Sequence, residues 1–428
     1  MRIGLFSDTY LPTTNGISYV LQIMQANLEE LGHEVYIFAP ATNLRGDEPD
    51  DNDHIFRFPA IEGILFDEQL TSVFFPPRVL KKIKKLDLDI VHFFTPGQIG
   101  LLGAGSAIRL DIPLVSQYST DVYHYVEKYP NVLPGTIALS LISPFVFKMT
   151  PRETIKMMRV FKPEKTITAW HKSMVARLHV MLHDNCDAVI ALSRKMQSQL
   201  DSWGSATPTT LLPTGVDPIP KASDKDIAEF KSNFGINSKD KVLLYVGRLS
   251  REKNLDLLVD AFEKLSKDNE DLKLMFVGDF DYRKNLEERA ADLGISDKVI
   301  FPGRIARNKL DVAYSSASIF LFPSTTDTQG LVVHEAAGAG LPLILCDKEV
   351  SEVFVKDETG LLASEDPNQF ASQIQKLLDN PDLAKKLGKA AKKRAAQFSE
   401  IGQMKELEQL YQKIIEEHKK VRFAGIDW

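Results

Sequence analysis

A chain of 428 residues, 44% of them hydrophobic, is too long for one core and apolar enough for two, so two domains of about 200 residues each are expected. The charged fraction of 26% and formal net charge of -6 describe an ordinary water-facing surface and exclude a bulk affinity for nucleic acid. The two cysteines, Cys186 and Cys346, stand far apart and outside metal-ligand spacing, which argues for a reducing compartment with neither a disulfide framework nor a metal site. The opening MRIGLFSDTY enters a strand-like pattern rather than a secretion signal, and no apolar run reaches the roughly 20 residues that span a bilayer. The expectation is a cytoplasmic protein, free or resting on a membrane surface.

Short apolar, β-branched runs alternate with longer helical patterns, the signature of parallel sheets covered by helices on both faces. The runs fall at 3–6, 35–39, 90–94, 114–116, 189–192 and 210–212, then at 242–246, 272–277, 299–301, 319–322 and 343–345. Between the two groups lies LLPTGVDPIPKASD, 211–224, whose Pro213, Gly215, Pro218 and Pro220 interrupt the pattern and mark an interdomain linker. The reading is an α/β protein of two doubly wound Rossmann-like domains, 1–213 and 214–399. A last helix within 400–428 returns to the first domain.

In chain order, the first candidate site follows the first run. Asn15 and Gly16 precede a helix whose Ile17, Val20, Leu21, Met24, Leu28 and Leu31 share one face, and a glycine there lets backbone N–H groups approach an anion. In the second half, KVLLYVGRLSREKN ends a strand at Gly247 and then places Arg248 and Lys253 in a loop. Ligands of open α/β sheets bind beyond the carboxyl ends of strands, so these two cations stand where a diphosphate would sit. The stretch FLFPSTTDTQGLVVHEAAGAGLP, 320–342, ends a strand near Phe322, carries Asp327 in a loop and starts a helix at Gly330 and Leu331 that contains Glu335. Two acids and a helix start can contact different parts of one ligand; the competing reading makes Asp327 a helix cap and Glu335 a surface residue.

Asn15 and Gly16, LPTGVD at 212–217, GRLSREKN at 247–254, and Asp327 with Glu335 together resemble family 4 retaining glycosyltransferases of the GT-B fold, over nearly the whole chain. The resemblance implies a nucleotide-sugar donor and no metal or other cofactor. Arg248 and Lys253 would neutralise its diphosphate, Asp327 would hold the sugar hydroxyls and Glu335 the ribose. Arg304, Ile305 and the N–H groups of Gly330 and Leu331 would complete the donor site, and Gly16 would approach the phosphate from the opposite domain. Similar enzymes work by front-face attack, the departing phosphate assisting deprotonation of the acceptor. Arg248, Lys253, Asp327 and Asp121 are the candidate catalytic residues.

The sequence departs from the family pattern in three places. Asp327 replaces the first glutamate of the E-x7-E pair, Phe280 follows Gly278 and Asp279 where a glycine is usual, and Ser119 in QYSTD takes the position often held by His. Asp121 and His124 stand close enough to Ser119 to join it on the acceptor side. Two D-x-D strings, Asp87 with Asp89 and Asp279 with Asp281, each adjoin a sheet strand and are read as part of the fold rather than as metal ligands.

Residues 148–182 hold eight Lys or Arg against two Glu, and 132–147, VLPGTIALSLISPFVF, is apolar but too short and broken to span a bilayer. A second basic stretch, 78–85, carries five cations. With the TQGL wording at 328–331, which resembles bacterial diacylglycerol glucosyltransferases, these features give the expected function: transfer of a hexose, in the first place glucose from UDP-glucose, to a membrane lipid such as diacylglycerol. The enzyme would lie on an anionic membrane at the inner face of the cell membrane. The alternatives are a cell-wall or polysaccharide intermediate or a soluble acceptor, and a protein that binds nucleotide sugars without transferring them.

Overall fold

The computed structural model describes residues 1–13, 15–45, 52–62, 70–72, 78–128, 132–147, 149, 151, 154–155, 161–162 and 164–424. The chain divides into two compact units, Met1–Thr214 with Glu400–Trp428, and Gly215–Ser399.

The N-terminal unit opens β1 (Arg2–Phe6), α1 (Gly16–Glu30), β2 (Glu34–Pro40) and β3 (Ile55–Phe58), followed by a two-stranded antiparallel ribbon, β4 (Ala60–Glu62) with β5 (Leu70–Ser72). It continues α2 (Val79–Leu86), β6 (Ile90–Phe93), α3 (Gln98–Leu110), β7 (Leu114–Tyr118), α4 (Val122–Lys128), α5 (Leu133–Val146), α6 (Ile167–Asp184), β8 (Ala188–Ala191), α7 (Arg194–Trp203) and β9 (Thr209–Leu211). The seven-stranded parallel sheet runs β3-β2-β1-β6-β7-β8-β9. Strand order reverses between β1 and β6, which pair in parallel with Leu5 opposite His92.

Strands buried on both faces need apolar residues in unbroken runs, and β2 and β6 are buried along almost their whole length. α1 starts where it does because the Asn15 side chain accepts from the N–H groups of Ile17 and Ser18 while the Ser18 hydroxyl accepts from Asn15 N–H, a reciprocal cap. Its Val20, Leu21, Ile23, Met24 and Leu28 are buried.

The C-terminal unit contains α8 (Asp224–Asn233), β10 (Lys241–Val246), α9 (Asp256–Ser266), β11 (Leu272–Val277), α10 (Arg283–Asp292), β12 (Val299–Gly303), α11 (Leu310–Ser316), β13 (Ile319–Phe322), α12 (Leu331–Ala339), β14 (Leu343–Leu345) and β15 (Gly360–Leu362). Its helices α13 (Pro367–Asp379) and α14 (Pro381–Ala395) follow. The six-stranded parallel sheet runs β12-β11-β10-β13-β14-β15, so the reversal falls between β10 and β13. Its core is one continuous cluster that includes Tyr245, Phe262, Phe276, Tyr314, Phe320 and Phe370. Each such side chain contributes about 1.5–3 kcal/mol by leaving water.

The last helix, α15 (Glu400–Ala424), belongs to the N-terminal unit and packs on α1. Tyr19 OH donates to Glu400 at 3.0 Å, and His33 Nε2 meets Glu408 at 3.1 Å. Deeper, the ring of His92 at the centre of the sheet shares a 2.6 Å hydrogen bond with Tyr411 OH. Burial drives the His92 pKa down to about 3, His179 on α6 to about 4 and His334 in the C-terminal unit to about 3.

The unfolded chain binds a proton at each of these rings near their ordinary pKa of about 6.5, and the folded chain does not until far lower pH. Stability therefore falls as pH drops below about 6.5 and continues to fall to about 4, by up to about 1.4 kcal/mol per pH unit for each ring. Urea unfolding at pH 7.5, 6, 5 and 4 should give that slope, and His92→Gln should flatten it by one ring's share; a pH-independent midpoint would refute the assignment.

Candidate functional site

In the C-terminal unit the loops after β10, β11 and β12 are knitted together at the end of the sheet nearest the β10/β13 reversal. Gly247 N–H donates to Val277 O at 3.0 Å, Gly278 N–H to Gly303 O at 2.9 Å, and Leu249 N–H to Asp279 O at 3.2 Å. Gly247 and Gly278 have φ of 149° and 140°. A Cβ on Gly278 would sit 1.9 Å from Gly247 O, so only glycine allows the two strand ends this close.

The short turn Arg251–Lys253 then sets the two cations. Lys253 Nζ donates to Asp327 Oδ1 at 2.6 Å, with the side chains 13% and 19% exposed. Arg248 is half exposed: its Nη2 lies 3.5 Å from Glu252 Oε1 and its guanidinium 5.4 Å from the centre of the Phe280 ring. Glu252 is buried and accepts from Ser250 Oγ at 2.7 Å. Phe280, a departure from the family pattern, thus stacks on the guanidinium.

α12 begins at Leu331, and its N-cap is Gly330. The N-cap position is thus Gly330 rather than Asp327, and Glu335 is not on the surface: it is 1% exposed. Glu335 Oε2 accepts from Tyr314 OH at 2.7 Å, and Oε1 lies 2.6 Å from Arg307 Nη1. Burial, and then the Glu335 charge, hold the Tyr314 hydroxyl well above its ordinary range. Of the two residues assigned after β12, Arg304 is exposed and Ile305 packs on the core.

Arg307 and Tyr314 are the members of this group that sequence reasoning missed. The signal for Arg307 was a cation three residues beyond Arg304; nothing in the sequence ties Tyr314 to an acid 21 positions later. A Cβ added at Gly388 on α14 would lie 2.2 Å from Gly340 O at the end of α12, so these two helices pack closely there.

In the N-terminal unit, the loop after β7 carries Ser119 and Asp121, and His124 lies in the first turn of α4. Ser119 Oγ accepts from Gln117 Nε2 at 3.0 Å. Asp121 is 4% exposed, and its Oδ2 accepts from His124 Nδ1 at 2.6 Å. Its Oδ1 accepts from Gln199 Nε2 at 3.2 Å, His124 N–H at 3.3 Å and Tyr118 OH at 3.4 Å. Burial alone would raise the Asp121 pKa; the hydrogen bond and charge of His124, with Lys195 and Gln199, outweigh it and leave the carboxyl below its ordinary value. Gly16 is exposed at the start of α1, and a Cβ there would meet nothing within 4 Å.

The D-x-D residues of this unit hold the fold: Asp89 Oδ2 accepts from Arg2 N–H at 2.7 Å, and Asp87 Oδ2 lies 3.3 Å from Arg2 Nη1. In the other string, Asp279 Oδ1 accepts from Phe280 N–H at 3.0 Å.

Two parallel sheets, each with a single reversal of strand order and its charged groups at the strand ends, define the GT-B class of fold. Solved structures agree: sucrose-phosphate synthase from Thermosynechococcus elongatus superposes with a TM-score of 0.69 at 21% identity, covering 96% of this chain and 98% of that one. HepE from Anabaena, in complex with UDP and glucose, superposes with a TM-score of 0.67 at 16% identity, covering 96% and 98%. The model of Glycosyltransferase Family 4 matches residues 14–219 and that of Glycosyl transferases group 1 matches 226–394. The chain belongs to the family 4 glycosyltransferases and is a glycosyltransferase. It is 29% identical to an alpha-monoglucosyldiacylglycerol synthase of Streptococcus pneumoniae, across 90% of this chain and 80% of the relative. A synthase of the same name from Acholeplasma laidlawii is 26% identical across 98% and 99%. A GDP-mannose-dependent alpha-mannosyltransferase of Mycolicibacterium smegmatis is 25% identical across 81% and 80%.

Removing Arg307 would leave the buried Glu335 carboxylate beside the Tyr314 hydroxyl without the guanidinium that pairs with its charge. Arg307→Met should therefore destabilise the C-terminal unit by about 1–3 kcal/mol, and adding Glu335→Gln should restore most of the loss by removing the charge. Thermal unfolding of the two variants measures both; equal stability of Arg307→Met and the parent would show the ion pair to be energetically idle.

Proposed function

We propose that this glycosyltransferase retains anomeric configuration and moves a hexose, in the first place glucose from UDP-glucose, to a membrane lipid of the diacylglycerol kind. The observation that carries the donor half is the grouping of Arg248, Lys253, Asp327 and Glu335 at the strand ends beside the β10/β13 reversal, where doubly wound sheets take nucleotides. Lys253 and Arg248 neutralise the diphosphate and the charge that grows on it as the sugar leaves. Asp327 passes from Lys253 to the sugar hydroxyls, and Glu335 receives the ribose. The start of α12, whose N-cap is Gly330, offers N–H groups to a phosphate.

The lipid acceptor is supported by surface chemistry. α5 exposes Leu141 by 48%, Ile142 by 51% and Phe145 by 78%, and Ile167 at the head of α6 is 71% exposed. Exposed Lys162, Lys165 and Arg177 lie nearby in the sequence. Lys148, Arg152, Lys156 and Arg159 of the same basic stretch lie outside the described residues. Apolar anchors with cations suit an anionic bilayer surface. All five cations of the second basic stretch, on and beside α2, are exposed as well. Among the described residues no helix is long and apolar enough to cross a membrane. The names of the two synthases fit this reading; that of the mannosyltransferase keeps the choice of sugar a matter for experiment.

The test presents the protein with UDP-glucose and GDP-mannose, each with dioleoylglycerol in vesicles containing or lacking anionic lipid, and follows product by mass spectrometry. Glucosyldiacylglycerol should form, faster on anionic vesicles. Lys253→Met should weaken UDP-glucose binding about 100-fold through loss of a charge-assisted contact to phosphate. Product formation that ignores lipid charge, or undiminished donor binding by Lys253→Met, would contradict the reading.

A further inference from the structure

Phe280 stands where the family usually carries glycine, at the rim of a site made of charges. It is half-buried, yet the continuous apolar cluster described for the C-terminal unit does not include it. Its ring meets a cation instead: the Arg248 guanidinium lies over it, 5.4 Å from the ring centre. That is inside the roughly 6 Å at which the negative face of a ring attracts a guanidinium.

The backbone holds ring and cation in register. Leu249 N–H, next to Arg248, donates to Asp279 O at 3.2 Å, and Tyr282 N–H returns to Leu249 O at 3.0 Å, so two bonds bracket Phe280. The buried Tyr245 hydroxyl donates to Arg248 O at 3.1 Å and fixes the main chain from which the guanidinium extends. The guanidinium has a second holder in Glu252, whose side chain is 1% exposed and whose Oε1 lies 3.5 Å from Nη2. The Glu252 carbonyl in turn accepts from Thr326 Oγ1 at 3.3 Å, beside Asp327. A ring and a carboxylate hold a cation differently. The carboxylate takes up charge and N–H donors; the ring face takes up neither, and a guanidinium has five N–H groups to offer. With its side chain 47% exposed, Arg248 is held and still open to a ligand. An unrestrained arginine loses rotamer freedom when it grips a phosphate, and a side chain restricted in advance loses less.

We propose that Phe280 is a positioning residue for the donor: its ring holds the Arg248 guanidinium ready for the diphosphate without consuming the charge or the N–H groups that the diphosphate needs. This rests on the donor reading above, in which Arg248 meets the diphosphate. Phe280 acts through the cation rather than on the ligand. Its contribution therefore belongs to ligands that carry phosphate, and it disappears when the guanidinium is removed.

The test titrates the full chain with UDP by calorimetry and with uridine by NMR. It compares wild type, Phe280→Leu, Phe280→Tyr, Arg248→Met and the double variant of Phe280→Leu with Arg248→Met. Leucine keeps an apolar side chain without a π face, and tyrosine keeps the ring. Phe280→Leu should weaken UDP about three- to fivefold and leave uridine unchanged, while Phe280→Tyr should bind UDP as wild type does. In the Arg248→Met background, Phe280→Leu should cost no further UDP affinity, the signature of a contribution made through the guanidinium. Unchanged UDP affinity in Phe280→Leu overturns the proposal. So does a parallel loss of uridine, which would put the ring on the base or make it a support of the fold, and so does an equal loss with and without Arg248. Wild-type protein that binds no UDP, or Arg248→Met that binds it as wild type does, would fail the donor reading itself; a wild type and an Arg248→Met that behave as that reading requires, beside an idle Phe280, would sink this inference alone.

Discussion

Two strand ends approach so closely at Gly247 and Gly278 that a single methyl group would collide with a backbone carbonyl. Everything the C-terminal unit presents beyond its sheet depends on that contact. It brings the loop carrying Arg248 and Lys253 beside the loop carrying Asp279 and Phe280, and it fixes both through backbone hydrogen bonds rather than through side chains that a ligand must displace. The charged side chains stay available for exchange while the frame beneath them is rigid, which is the condition for preorganised electrostatics.

The charges on that frame are matched in the structure. Lys253 is held by Asp327, Arg248 lies against Glu252 and Phe280, and Arg307 faces Glu335. A hydrogen bond to a charged group contributes about 1.5–3 kcal/mol, so a ligand that takes Lys253 must replace the interaction it breaks. A diphosphate can do so with its own negative charge, and the sugar hydroxyls can then satisfy Asp327. The same logic accounts for the buried position of Glu335: an acid enclosed by Tyr314 and Arg307 stays ordered, a better partner for neutral hydroxyls than a solvated carboxylate.

Much of the fold was legible because strands buried on both faces leave continuous apolar runs. Each of the eleven runs read from the sequence overlaps an observed strand. β3, IFRF, escaped because an arginine interrupts its four residues; β15, GLL, because three residues opened by a glycine carry no periodicity; and the β4–β5 ribbon because its strands are three residues long. At the candidate site, the sequence order supplied Arg248, Lys253, Asp327 and Glu335, since their loops follow recognisable strands. It could not supply their pairing. That Lys253 bonds Asp327, 74 residues away, follows from the pairing of β10 with β13, and that Tyr314 and Arg307 enclose Glu335 follows from the packing of α11 and the turn before it on α12; no local pattern encodes either. The Asp121–His124 bond joins residues three apart, yet only the burial of one and the exposure of the other separate it from an ordinary helix start.

The central claim is that the C-terminal unit grips a nucleoside diphosphate by exchanging its internal ion pair for phosphate. A crystal structure of the protein soaked with UDP tests this most directly. The account predicts Lys253 Nζ moved off Asp327 and within about 3 Å of a phosphate oxygen, with Glu335 against the ribose hydroxyls. An intact Lys253–Asp327 bond, with UDP bound elsewhere on the molecule, would contradict it.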